Sequence, residues 1–196
     1  MKIPELAPLI DNEPQASQVR VLSINKAPVF NKFPSFPLLS TTSTTNSCKC
    51  PQVLIADDDT FQHLYYNILF QKSFNSKDLS PELKPLKVQL CFSGEELLEC
   101  HIEVRKCGCK RLILMIIDYQ MGKGKLNGID TSFAVRKSGY NGFVLLRTSK
   151  TQESLKFLHG NFDEILEDKI ISAFVVKTDL RQGKEIIQSA LKAMKI

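Results

Sequence analysis

The sequence predicts an α/β fold: a five-stranded parallel sheet with helices on both faces. From Pro51 onward, short apolar runs alternate with stretches of helical periodicity, the pattern of a parallel sheet. The most apolar run, residues 112–117, has no polar side chain on either face, as expected of a central strand covered on both sides. With 43% hydrophobic residues, the 196-residue chain can form one such domain and leaves additional chain outside it.

Each element has its own signal. The predicted strands are 53–56, 88–92, 112–117, 143–146 and 173–176. The first helix is predicted from an apolar stripe at Phe61, Leu64, Tyr65, Ile68 and Leu69. Ser93 and Glu96 form a capping-box pair that begins the second helix.

The later helices are predicted in the same way. Asn127 begins a helix that carries Ile129 and Phe133 and ends at Gly139. One helix is expected within 150–172, where Gly160 and Asn161 interrupt the pattern. Asp179 begins the last helix, whose predicted apolar face is Ile186, Ile187, Ala190, Leu191 and Met194.

Residues 1–49 differ from the rest of the chain. Residues 1–47 hold six of the nine prolines and include the Ser/Thr tract 40–45. This composition predicts a disordered tail or linker, with a single domain over 50–196.

Composition also excludes several classes. The net charge of +5 comes without a clustered basic stripe, so no nucleic-acid partner is expected. No apolar run approaches the roughly 18 residues of a membrane helix, and Pro4 and Pro8 interrupt any signal peptide. An intracellular, cytoplasmic protein with reduced cysteines is therefore expected.

Polar residues follow the predicted strands at one edge of the sheet. Asp57-Asp58-Asp59 follows the first strand, Asp118 the third, Thr148-Ser149 the fourth and Lys177 the fifth. Carboxylates gathered in one pocket repel each other unless a cation such as Mg²⁺ is present. A lysine and a hydroxyl beside them suit an oxyanion, so the pattern predicts phosphoryl transfer to a carboxylate.

These segments resemble the receiver domain of two-component response regulators. Residues 53–59 resemble its first strand and acid pair, and residues 118–121 with 127–130 resemble the loop and helix around its phosphorylation site. Residues 145–148 resemble the fourth strand with its switch hydroxyl, and 174–177 the fifth with its lysine. The Cys-rich loops and Ser/Thr linker are similar to receivers at the C-terminus of eukaryotic hybrid histidine kinases.

The resemblance implies a flavodoxin-like strand order of 2-1-3-4-5 and a role for each site residue. Asp118 is the phosphoacceptor, and Lys177 and Thr148 bind phosphoryl oxygens. Phe174 changes rotamer with Thr148, so phosphorylation changes the surface of the last two strands and the final helix. The implied Mg²⁺ ligands are Asp57, Asp58, Asp118 and the backbone carbonyl of Gln120. Asp59 is instead expected to cap the first helix.

The sequence departs from the receiver pattern at several places, including extra residues between the first helix and the second strand and in 150–172. Gly122 and Thr178 stand where prolines are usual, and the loop from Asp118 to Gly128 is two residues longer. A phosphorylation-inert receiver that serves as an interaction module is therefore one alternative. An aspartate-nucleophile phosphatase is another, although Phe61 occupies the last position of its Asp-x-Asp-x-Thr/Val signature. A flavin binder of the same topology is disfavoured because three aspartates would repel the flavin phosphate.

Partners follow from what the sequence lacks. No kinase ATP-binding glycine motif or phospho-accepting histidine context is present in residues 1–47, so the expected donor is a histidine kinase or a His-containing phosphotransfer protein. We expect no enzymatic activity of the chain apart from its own phosphorylation and dephosphorylation. No DNA-binding output domain is expected to follow residue 196, and the sequence does not predict an oligomeric state.

Two Cys-x-Cys pairs precede the first and third strands. Cys48, Cys50, Cys107 and Cys109 would lie at the sheet edge opposite the carboxylates, where they could bind a structural Zn²⁺. Cys-x-Cys is a less typical zinc spacing than Cys-x₂-Cys, so independent reduced thiols are the expected state.

Overall fold

The structure, a computed structural model, describes residues 48–73, 86–109 and 111–193. Its five parallel strands are β1 (Val53–Ala56), β2 (Val88–Cys91), β3 (Leu114–Asp118), β4 (Phe143–Thr148) and β5 (Ala173–Val176). Its helices are α1 (Thr60–Ser73), α2 (Gly94–Lys106), α3 (Gly128–Lys137), α4 (Gln152–Leu158), α5 (Phe162–Glu167) and α6 (Leu180–Ala193). The strand order is β2-β1-β3-β4-β5, which confirms the expected topology.

Alternate side chains of the central strands supply two separate cores. Val53 and Ile55 pack on one face against α1 and α6. Leu54 and Ala56 pack on the other face against α2 and α3. All five residues of β3 are buried, so the prediction of a doubly covered central strand is confirmed.

The predicted N-cap residues fix where the helices begin after the strands. Asn127 Oδ1 accepts hydrogen bonds of 2.9 Å from the N–H groups of Ile129 and Asp130. Ser93 Oγ accepts from Glu96 N–H at 3.2 Å, and Asp179 Oδ1 accepts from Gln182 N–H at 2.8 Å. Each cap follows a strand, so it also fixes where the chain turns at the carboxyl edge of the sheet.

The predicted apolar stripe of α1 is wrong in part. Phe61, Leu64 and Ile68 are exposed, Phe61 to 79%. The buried face instead carries Tyr66, Leu69 and Phe70. Of these three residues, only Leu69 belongs to the predicted stripe. The helix has two apolar stripes about a third of a turn apart, and the sheet covers only one of them.

The single helix expected within 150–172 is also wrong, because two short helices occupy this region. Thr151 caps α4, and α4 ends before Gly160 and Asn161. Leu155, Phe162 and Ile165 then pack from the two helices into a third apolar cluster beside Leu146 of β4. Of the two apolar residues named for α3, Ile129 is buried and Phe133 is 43% exposed.

Two predictions lie outside the described residues. They are the disordered tail over 1–47 and the place of Met194 on the last helix.

Candidate functional site

Four strands deliver polar residues to one edge of the sheet. Asp57 directly follows β1, Asp118 ends β3, Thr148 ends β4 and Lys177 directly follows β5. In the β1–β3 register Ala56 pairs with Ile117, so Asp57 and Asp118 are each one residue beyond this pair on neighbouring strands. Parallel pairing therefore brings together residues that are far apart in the sequence.

The three carboxylates form one acidic pocket. Oxygens of Asp57, Asp58 and Asp118 all lie within 4.8 Å of one another. Asp57 and Asp118 are buried, whereas Asp58 is exposed. Lys177 Nζ lies 3.0 Å from Asp57 Oδ2 and 3.0 Å from Asp118 Oδ2, so one ammonium ion bridges the two buried carboxylates.

One ammonium ion does not fully compensate this charge. Burial is the main reason that the pKa of Asp118 is raised to about 6; Lys177 opposes this rise, and the charge of Asp57 adds to it. A carboxyl group with this pKa is mostly ionised at pH 7 and mostly protonated at pH 5, and added positive charge would favour the ionised form further.

The donor set fits a hard divalent cation. Asp57 Oδ1 accepts hydrogen bonds from Asp59 N–H at 3.1 Å and from Lys177 Nζ at 3.2 Å. Asp57 Oδ2 is buried and has no hydrogen-bond donor among the described residues; its 3.0 Å approach to Lys177 is an ion-pair contact only. A buried carboxylate oxygen with no donor, beside two further carboxylates, suits Mg²⁺, which binds oxygen ligands. Asp58 and Gln120 line a cleft of about 570 Å³ next to this pocket.

The predicted switch residues lie beside the pocket but make local contacts. Thr148 is buried, and its Oγ1 accepts a hydrogen bond from Lys150 N–H at 3.0 Å. Phe174 is half-buried and packs edge-to-face on Phe162, with ring centroids 5.9 Å apart. Among the described residues, Thr148 has no hydrogen bond to the carboxylates.

Backbone hydrogen bonds hold Lys177 in place although Thr178 replaces the usual proline. Lys177 N–H donates to the Thr148 carbonyl at 2.6 Å, and the Lys177 carbonyl accepts from Arg147 Nη2 at 3.3 Å. The lysine is thus attached to β4 on both sides of its peptide unit. As predicted, Asp59 caps α1, accepting from Phe61 N–H at 2.8 Å.

Sequence reasoning missed two residues that support the pocket. Arg147, only 3% exposed, donates to Gln62 Oε1 at 2.7 Å, and its guanidinium carbon lies 4.6 Å from the Tyr65 ring centroid. His63 Nε2 and the Asp57 carbonyl share a 2.6 Å hydrogen bond. The available signal for Arg147 was a charged residue directly after the apolar run 143–146 and before Thr148. The sequence carries no comparable signal for His63.

The four cysteines lie at the opposite edge of the sheet, before β1 and β3. Their Sγ atoms are all within 4.8 Å of one another. The two loops therefore converge, and the expectation of independent thiols does not describe this arrangement.

No helix of the described residues is long and apolar enough to cross a membrane.

Comparison with known proteins identifies the fold. No protein-family model matches the chain, and no curated protein matches it in sequence. Among solved structures, the chain is similar to the N-terminal domain of a response regulator/sensory box/GGDEF three-domain protein from Carboxydothermus hydrogenoformans. That match has a TM-score of 0.50 and 20% identity, and it covers 71% of this chain and 93% of the other.

A second similar structure is the signal receiver domain of a Luxo repressor protein from Vibrio parahaemolyticus. Its TM-score is 0.51 at 16% identity, with coverage of 73% of this chain and 89% of the other. The described part of the chain therefore has the fold of response-regulator receiver domains.

Proposed function

We propose that this domain is a phospho-accepting receiver in which Asp118 takes a phosphoryl group from a phosphohistidine donor. The observation that carries the proposal is the bridge of Lys177 Nζ, at 3.0 Å, between Asp57 after β1 and Asp118 at the end of β3. An isolated structural ion pair needs one carboxylate; here one lysine serves two, and a third lies within 4.8 Å.

The proposed reaction is a transfer between two residues. An Asp118 Oδ attacks phosphorus, an O–P bond forms, and the N–P bond of the phosphohistidine breaks with its electron pair staying on the imidazole, which takes up a proton. Asp57, Asp58, Asp118 and the Gln120 carbonyl would hold Mg²⁺. Bound Mg²⁺ supplies positive charge that reduces repulsion between the carboxylates and the phosphoryl oxygens.

The other site residues then have defined tasks. Lys177 is held by its backbone, so its ammonium group can leave the carboxylates for a phosphoryl oxygen without moving the chain. Thr148 would exchange its bond with Lys150 N–H for one to a second phosphoryl oxygen. Space vacated by Thr148 would admit the Phe174 ring, and the change would alter the surface of β4, β5 and α6.

A histidine kinase or a His-containing phosphotransfer protein is the proposed donor, with the cytoplasm as the compartment. Apart from its own phosphorylation and dephosphorylation, we propose no enzymatic activity.

Intact-mass analysis tests the assignment. With Mg²⁺ and acetyl phosphate, the full chain should gain one phosphoryl group, which base removes and acid does not. Asp118→Asn should gain none, whereas Asp59→Asn should label normally because the asparagine side chain can still cap α1.

Three results would contradict the proposal. Undiminished labelling of Asp118→Asn would place the acceptor elsewhere. No labelling of the wild type by acetyl phosphate or by phosphohistidine donors would favour the phosphorylation-inert module. Steady turnover of a simple phosphate ester would instead favour a phosphatase.

A further inference from the structure

Two Cys-x-Cys segments meet at the amino edge of the sheet. Cys48 and Cys50 precede β1, and Cys107 and Cys109 precede β3. These strands are hydrogen-bonded neighbours, with Val53 paired to Leu114. Gln52 extends the pairing towards the cysteines, because its carbonyl accepts from Ile113 N–H at 2.9 Å. The sheet itself therefore fixes the distance between the two segments.

The four sulphur atoms have the spacing of a tetrahedral thiolate site. All lie within 4.8 Å of one another, and Cys48 Sγ and Cys107 Sγ are 3.3 Å apart. Four Zn–S bonds of about 2.3 Å at tetrahedral angles separate the sulphurs by about 3.8 Å. A disulfide would need about 2.05 Å. The observed spacing is thus close to that of a metal site, and all four cysteines are free thiols.

Backbone geometry directs both pairs to the same point. Cys50 N–H donates to Cys48 Sγ at 3.4 Å, the kind of bond that stabilises a thiolate ligand. Cys107 is the C-cap of α2, and its N–H donates to the Glu103 carbonyl at 3.2 Å. Gly108 has φ of +70°, so the chain reverses between Cys107 and Cys109 without the strain of a side chain there.

Positive charge surrounds the cluster. Lys87 Nζ and Arg111 Nη1 both donate to the Cys48 carbonyl, at 3.3 Å and 3.2 Å. Four thiolates around a divalent ion carry a net charge of about −2, which two such cations offset.

We propose that Cys48, Cys50, Cys107 and Cys109 bind one structural zinc ion. Binding replaces four S–H bonds with four Zn–S bonds and releases four protons to solvent, with no change of oxidation state. A site with four protein thiolates has no open position for substrate, so its role is structural. The ion ties the segment that enters β1 to the loop that enters β3, at the edge opposite Asp118.

Elemental analysis of the full chain tests the proposal. Protein made in zinc-supplemented medium and purified under reducing conditions without chelator should carry one zinc per chain. The double variant Cys107→Ser, Cys109→Ser should carry almost none. Cys100→Ser is the matched control, because Cys100 lies near Cys91 and outside the cluster, and it should retain the full zinc content.

A spectroscopic test covers the case in which the double variant does not fold. Wild-type chain reconstituted with Co²⁺ should show the intense visible ligand-field bands of a tetrahedral tetrathiolate complex. A zinc-selective chelator, added in excess Mg²⁺ so that the acidic pocket is unaffected, should lower the melting temperature of the wild type by several degrees.

Three results would overturn the proposal. They are a wild-type zinc content far below one per chain with all thiols reduced, a disulfide between the two segments in freshly purified protein, and a Co²⁺ spectrum without the tetrahedral bands. None of these measurements depends on phosphorylation, so the zinc proposal and the receiver proposal stand or fall separately.

Discussion

Asp118 lies beside one ammonium group and two other carboxylates, so its ionisation is coupled to what else enters the pocket. Burial is the main reason that its pKa rises from the ordinary 3.8 to about 6. The folded chain therefore holds this proton more tightly than the unfolded chain. The stability that follows is fully present below about pH 4 and is lost as pH rises through about 6.

Mg²⁺ and this proton compete for the same oxygen. At pH 5 only about one Asp118 in ten is ionised, so we expect Mg²⁺ affinity to be about tenfold lower at pH 5 than at pH 7. Isothermal titration calorimetry between pH 5 and pH 7 measures how the Mg²⁺ affinity changes with pH. In Asp118→Asn the remaining affinity should lose most of this dependence, and an unchanged slope in the variant would assign the proton to another group.

Individual residues were predictable from sequence when they lay at strand ends. Asp57, Asp118, Thr148 and Lys177 each follow or end an apolar run, and a parallel sheet brings such positions to one edge. Arg147 was not predictable in its role, because its partners Gln62 and Tyr65 lie on α1 and only tertiary packing brings them near.

At the scale of the element, Gly128 sets how closely α3 approaches the backbone of Asp118. A Cβ there would lie 2.4 Å from the Asp118 carbonyl oxygen and 2.7 Å from Leu146 Cδ1. Backbone atoms cannot give way as a flexible side chain does. Gly128 is therefore required by space, since its backbone conformation is an ordinary helical one.

Gly128→Ala should accordingly lower the free energy of unfolding by about 2 kcal/mol, through overpacking of a closed contact. It should also slow phosphorylation, because the Asp118 backbone must shift. Gly160→Ala is the control: nothing lies within 4 Å of its Cβ position, so its stability should stay within about 0.5 kcal/mol of wild type. Urea unfolding measures both, and equal effects of the two substitutions would refute the steric argument.

Secondary structure was predictable where caps or doubly buried strands marked it. The buried face of α1 was not, because two apolar stripes compete and the choice depends on how the helix lies on β1 and β3. The division of α4 from α5 was signalled by Gly160 and Asn161, but their effect depended on Leu155 and Phe162 packing into one cluster from two directions.

For the whole molecule, the sheet separates two sites of opposite chemical character. Carboxylates lie at the carboxyl edge, and thiols lie at the amino edge. Hard oxygen ligands suit Mg²⁺ and soft sulphur ligands suit Zn²⁺, so the two proposed ions should not exchange places.

This separation gives a prediction for the response to a phosphoryl mimic. Beryllium fluoride with Mg²⁺ should change amide hydrogen exchange in β4, β5 and α6, where Thr148 and Phe174 lie, and leave residues 48–50 and 107–109 unaffected. Hydrogen-exchange mass spectrometry measures both regions, with Asp118→Asn as the unresponsive control. Equal exchange at β4, β5 and α6 with and without the mimic would argue for an inert module.

The pairing of β1 with β3 also has a kinetic consequence. Asp57 and Asp118 become neighbours only after the chain has closed a loop that contains α1, β2 and α2, so we expect this non-local pairing to form late in folding. A cation that needs both carboxylates has little to bind in a transition state where this pairing is incomplete. Mg²⁺ should therefore stabilise the domain by slowing its unfolding and leave its refolding rate nearly unchanged, a division that stopped-flow measurements of both rates would reveal.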